Sequence, residues 1–190
     1  MILPVVKYGH PVLRQKGPRI EKITAEISRL VEDMLETMYA ARGVGLAAQQ
    51  VGRALQLAVI DVSAVSDRPS TLELGGEPAE VKSFMPLVLI NPEFKAVTEP
   101  VAGPEGCLSF PEIYADITRP ETIDVTALDR KGVKITFRCG GLLSRAIQHE
   151  ADHLNGILFI DRMKKEDKEE FKTELDILQR ETKAELKKGQ

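Results

Sequence analysis

The chain has no tryptophan and few other rings, with three tyrosines and six phenylalanines in 190 residues. Without aromatic platforms on which bases stack, single-stranded nucleic acid is not an expected ligand. Nor is there an excess of positive charge. Lys and Arg number 26 against 29 Asp and Glu, a formal net charge of -3, so sequence-specific nucleic-acid binding is not expected either. Long apolar runs are also missing. The longest, around 55–62 and 84–90, are of strand length and fall far short of the roughly 20 residues a helix needs to cross a bilayer. Two cysteines do not make a disulfide framework. Residues 1–7 lack the basic start, apolar core and cleavage site of a signal peptide. These absences leave a soluble cytoplasmic protein without a membrane partner as the expectation. A hydrophobic content of 43% suffices for one well-cored domain over residues 1–190, and is short for two.

Histidine is scarce as well, and two of the three fall in one pentapeptide, His149-Glu150-Ala151-Asp152-His153. On a helix His149 and His153 sit one turn apart and point the same way, so both imidazoles can grip one divalent ion. Glu150 then lies within reach of a water at that ion. The bland alternative is two histidines on a wet helix face, with Glu150 as a solvated helix former. The flanks oppose it. Leu142, Leu143, Ala146, Ile147, Ala151 and Leu154 recur at three- and four-residue spacing, which predicts a buried helix between Gly140-Gly141 and Asn155-Gly156. Buried imidazoles and carboxylates must be paired or coordinated.

Residues 24–42 read as an amphipathic helix capped by Thr24, with Ile27, Leu30, Val31, Met34, Leu35 and Met38 on its apolar face. Strands are predicted at 55–60, 85–91, 93–98, 122–128 and 133–138, the last two joined in a hairpin by Asp129-Arg130-Lys131-Gly132. Residues 63–82 are polar and read as an exposed loop. The charged segment 164–188 places Phe171, Leu175 and Leu178 on one face, so a docked terminal helix is expected in the tail 164–190. The whole predicts an α+β fold in which mixed or antiparallel strands surround a central metal-binding helix.

Two histidines leave a catalytic metal one protein ligand short. No histidine follows His153, and the downstream glutamates (Glu166, Glu169, Glu170) lie in the charged tail. Upstream, Glu105-Gly106-Cys107-Leu108-Ser109 offers a thiolate in a small-residue, extended setting, whereas Cys139 reads as a small buried apolar residue. A third element, Gly43-Val44-Gly45-Leu46-Ala47-Ala48-Gln49-Gln50, combines glycines that admit a close ligand with an amide able to donate to a developing oxyanion.

Taken together, Gly43-x-Gly45-Leu46-Ala47-Ala48-x-Gln50, Glu105-Gly106-Cys107-Leu108-Ser109 and Gln148-His149-Glu150-x-Asp152-His153 resemble the three motifs of the bacterial-type peptide deformylases in order and spacing. Pro4, Leu13 and Gly156-Ile157-Leu158-Phe159 extend the resemblance over roughly residues 3–163. It implies a hydrolase that releases formate from formyl-methionyl nascent peptides. Cys107, His149 and His153 match the metal ligands, usually of Fe2+, with Ni2+, Co2+ or Zn2+ as substitutes. Glu150 matches the general base, and Gln50 and the Leu108 backbone N–H match the oxyanion donors. Val44, Gly45 and Leu46, with Glu105 and Gly106, match the walls of the substrate cleft. Leu142, Arg145 and Ala146 match the pocket for the methionine side chain.

Two positions depart from the pattern. Arg145 stands where some members are apolar, and its stem is expected to line the pocket with the guanidinium outside. Tyr114 stands near the peptide-binding side, where some members carry arginine. Asp152 is read as either solvated or a partner of Arg119. Ribosome contact through the C-terminal segment is a further expectation. The alternatives are a zinc endopeptidase using the same helix and a non-catalytic metal-binding paralogue. A binder has no use for Glu150 and Gln50, and an endopeptidase requires a ligand downstream.

Overall fold

Residues 57–60 and 87–90 are apolar at both parities, so the strands they form must be covered on two faces. The computed structural model describes residues 1–189; Gln190, the last residue of the expected tail, lies outside them. The strands are β1 (Gly45–Ala47), β2 (Leu57–Ile60), β3 (Ser70–Leu74), β4 (Glu77–Pro78), β5 (Leu87–Ala96), β6 (Pro100–Cys107), β7 (Phe110–Pro120), β8 (Thr122–Leu128) and β9 (Lys134–Gly140). Seven of them form an antiparallel sheet in the order β1-β2-β5-β8-β9-β3-β4, and β6 pairs with β7 in a separate two-stranded sheet.

Helix α1 (Ala25–Ala40) covers one face of the large sheet. Thr24 caps it, its hydroxyl accepting from the Ile27 N–H at 3.3 Å. Its apolar stripe of Val31, Met34 and Met38 packs on Leu57, Val59, Val88 and Ile90. The opposite face, carrying Ile60, Leu87, Leu89, Ile123 and Val125, receives helix α2 (Gly141–Leu154) through Leu143, Ala146 and Ile147. One face of the sheet therefore holds α1 and the other holds the helix with both paired histidines. Gly141 makes the entry to α2 possible. Its φ is +66°, and a Cβ there would lie 2.1 Å from the Pro69 carbonyl oxygen.

The α+β expectation and the central helix stand, and the predicted 24–42 helix and 122–138 hairpin are present. Three sequence readings need correction. The polar stretch 63–82 is not only loop: β3 and β4 lie within it, and Leu72 pairs with Cys139 to extend the sheet. These strands at the end of the sheet keep exposed positions, so their polar composition hides them. The predicted strands 85–91 and 93–98 are one strand, β5, whose register shifts between Ile90 and Glu93. Pro92 donates no hydrogen bond, and Asn91 (φ +52°) turns its amide to both the N–H and the carbonyl of Ile20. The terminal segment is two helices, α3 (Lys165–Glu170) and α4 (Lys172–Lys188), broken at Phe171. The break brings Phe171, Leu175 and Leu178 onto a third apolar cluster with Phe110, Ile113 and Phe159.

Candidate metal centre and cleft

The β6–β7 hairpin meets α2 at Cys107. The pairing of β6 with β7 slips between Gly106 and Cys107, a bulge that re-aims the strand end at the helix. The Cys107 sulfur then lies 3.3 Å from His153 Nε2, and donor atoms of Cys107, His149 and His153 all fall within 4.8 Å of one another. Four-coordinate bonds of roughly 2.0–2.3 Å require about this separation, so the three side chains fit one tetrahedral ion with an open position.

His149 is oriented for that role, whereas Nδ1 of His153 has no hydrogen-bond partner. Glu105 Oε2 lies 2.9 Å from His149 Nδ1, so the ring donates there and its Nε2 is left as a ligand. His153 is fully buried, and burial holds it well below its ordinary range, as a neutral ring.

Glu105 anchors a chain of buried charges. Arg119 donates to it through Nε (2.5 Å) and Nη2 (2.9 Å), and through Nη1 to Asp152 (2.9 Å). Arg162 then closes on Asp152 with two further bonds. Burial pushes the Glu105 carboxyl up, but His149 and Arg119 outweigh this and hold it at about 2. Asp152 is therefore the partner of Arg119, one of the two sequence readings. Arg162 and the role of Arg119 as hub were not foreseen. A period-two pattern, Ile113, Ala115, Ile117, Arg119, placed Arg119 on the buried face of β7, although Glu112 with φ +61° interrupts it upstream.

Glu150 is buried beside the triad, and its Oε2 has no hydrogen-bond partner. Burial, more than any neighbouring charge, raises it to about 7. A carboxyl poised there exchanges protons readily near neutral pH. Gln50 is held with its Oε1 accepting the Ala47 N–H (2.9 Å), which aims Nε2 at Ser109 Oγ (3.3 Å) and the Cys107 sulfur (3.5 Å). Lys7, also missed in the sequence, donates to the Leu108 carbonyl at 2.8 Å and steadies the segment that presents the Leu108 N–H.

These groups open on a cleft of about 520 Å³. Val44 and Gly45 form one side, Glu105, Gly106 and Tyr114 another, and Leu142, Arg145 and Ala146 line it from α2. Leu46 is not in the lining; its side chain is fully buried in the α1 core. Arg145 departs from its expected pose. The residue is 8% exposed and its guanidinium turns inward to the Ile117 carbonyl and Glu105. Three carbonyls and a carboxylate on the hairpin offer it acceptors that satisfy a buried cation. Tyr114 is 67% exposed at the rim.

A cysteine sulfur and two imidazoles around a shared point, with a raised carboxyl and amide donors beside it, define a metal-dependent hydrolase on an α+β fold. The family model described as polypeptide deformylase matches residues 2–169, and the chain belongs to that family. A peptide deformylase of Methylacidiphilum infernorum is 50% identical over 180 residues, covering 95% of this chain and 94% of the relative. One of Opitutus terrae is 43% identical, with 98% of each chain covered. The fold is similar to the crystal structure of a peptide deformylase from Synechococcus elongatus in complex with actinonin. Its TM-score is 0.74 at 38% identity, covering 95% of this chain and 85% of the other.

Proposed function

We propose that the chain removes the formyl group from the amino-terminal formyl-methionine of newly made polypeptides, releasing formate and a free amino terminus. The observation that carries this reading is the convergence of Cys107, His149 and His153 beside the unpartnered Glu150 carboxylate on a cleft open to a peptide. A divalent ion held by these three residues supplies Lewis acidity and lowers the pKa of water.

The chain's own groups do the rest. Glu150 takes a proton from the attacking water and returns one to the departing amine as the C–N bond breaks. Gln50 Nε2 and the Leu108 N–H donate to the oxyanion that develops on the formyl oxygen, each contributing about 3 kcal/mol. Leu142, Ala146 and the stem of Arg145 receive the unbranched apolar methionine side chain, while Val44, Gly45 and Gly106 flank the peptide. Fe2+ suits one thiolate and two imidazoles, and Ni2+, Co2+ or Zn2+ are substitutes. Residues 1–190 act as one catalytic unit. The substrate implies a bacterial or organellar setting, of which the bacterial cytoplasm is the one we propose. Transient ribosome contact through residues 164–190 belongs to the same reading.

The test is formate release from formyl-Met-Ala-Ser by anaerobically prepared wild type, Glu150→Ala and Cys107→Ala, with metal content measured on the same samples. Rapid release by wild type, loss in Glu150→Ala with metal retained, and metal loss in Cys107→Ala are expected. No release from fully metallated wild type overturns the assignment. An endopeptidase, by contrast, retains metal in Cys107→Ala.

A further inference from the structure

The two walls of the cleft belong to different parts of the fold. One is α2, packed on the large sheet; the other is the β6–β7 hairpin, which shares no strand pairing with that sheet. Arg145 spans the gap. From α2 its Nη1 donates to the Ile117 carbonyl on β7 (2.6 Å) and to Glu105 Oε1 on β6 (3.1 Å). Its Nη2 donates to the Val101 carbonyl on β6 (3.0 Å). One buried guanidinium thus grips both strands of the hairpin. The hairpin is shaped to receive it, since a Cβ on Gly103 would lie 2.9 Å from Nη2 and 3.0 Å from Cζ. Only a residue without a side chain lets the planar head lie against that strand.

We infer that Arg145 is a positioning residue that sets the width of the cleft, and with it the size of first side chain the enzyme accepts. The inference rests on the deformylase reading. Arg145 itself lines the cleft beside Leu142 and Ala146. The same side chain is therefore both pocket wall and tether for the facing wall. Its loss leaves Glu105 paired with Arg119 and His149, so the contacts that orient the metal ligand survive. What is released is the separation of hairpin and helix. Selectivity for an unbranched chain over a bulkier ring depends on that separation, because a few tenths of an ångström decide close packing.

The experiment compares metal-loaded wild type, Arg145→Leu, Arg145→Lys and Gly103→Ala on formyl-Met-Ala-Ser and formyl-Phe-Ala-Ser, with metal content measured throughout. For Arg145→Leu the expected result is a roughly tenfold rise in KM for the methionyl peptide, with kcat within threefold and metal unchanged. The preference for Met over Phe narrows by a similar factor. Lysine keeps the charge but not the fork, and recovers less than half of the lost preference. Gly103→Ala displaces the guanidinium from the other side and shifts the preference in the same direction. It carries the test if Arg145→Leu does not fold. Unchanged KM and preference in folded Arg145→Leu or Gly103→Ala overturn the inference, as does a fall in kcat and metal with KM intact. Failure of wild type on both peptides instead overturns the deformylase reading.

Discussion

Gly45 and Glu150 are in contact across the candidate site: a Cβ built on Gly45 would fall 2.4 Å from Glu150 Oε1. The backbone of β1 therefore forms the seat of the buried carboxylate, and a hydrogen in place of a methyl leaves room for it. Gly45→Ala is expected to push the carboxylate aside with little effect on the fold. A displacement of about 1 Å in a catalytic group lowers turnover by roughly a hundredfold. Steady-state kinetics with metal analysis checks this: kcat falls while metal stays bound.

Glu105 balances two buried arginines and a histidine, so its neutralisation should do more harm than loss of an ordinary surface charge. Glu105→Gln leaves Arg119 and Arg145 undercompensated. Breaking such a buried pair costs about 3–5 kcal/mol. Urea unfolding in chelator reads that loss directly. Metal titration of the folded variant should show affinity lower by roughly 10- to 100-fold, because His149 loses the acceptor that orients its ring.

Asp161, whose carboxylate accepts from Arg14 and Leu158, provides a pH test that involves none of the three candidate ligands. Burial pushes its carboxyl up, but the Arg14 ion pair and the Leu158 N–H (2.9 Å) outweigh this and lower it from the ordinary 3.8. A depressed folded-state pKa contributes stability that is present above the unfolded value and lost as pH falls through the folded one. Asp161→Asn should therefore lower the unfolding midpoint at pH 7. The difference from wild type should shrink once the pH drops below 3.8, as thermal melts across the acid range would read.

The two cysteines should separate by alkylation. Cys139 is 1% exposed, and burial, with a smaller contribution from Asp124, pushes its thiol up to about 12. Cys107 opens on the cleft. Iodoacetamide at pH 8 should label Cys107 in the folded, metal-stripped protein and reach Cys139 only after denaturation. Mass spectrometry of the digested protein checks which thiol is modified.

Much of the chemistry was legible because it resides in short motifs. His149, Glu150 and His153 are one helical turn, and helical periodicity from Leu142 to Leu154 was enough to bury them. The α1 stripe and the β8–β9 hairpin were legible for the same reason, since their period follows from local backbone geometry. Less regular elements were hidden. Pro100, Gly103, Pro104 and Gly106 erase alternation in β6, and the polar strands β3 and β4 resemble loop.

By itself the sequence determined the donor set, the helix that carries two of its members, and the family motifs that tie Cys107 and Gln50 to them. Only the tertiary structure decided how these parts face one another. The bulge at Gly106 and Cys107 turns the hairpin end toward α2, and the Glu105–Arg119–Asp152–Arg162 chain and the inward turn of Arg145 join residues ten or more positions apart. Where a buried guanidinium finds its acceptors depends on which carbonyls and carboxylates the fold brings within about 3 Å, and no local spacing encodes that distance.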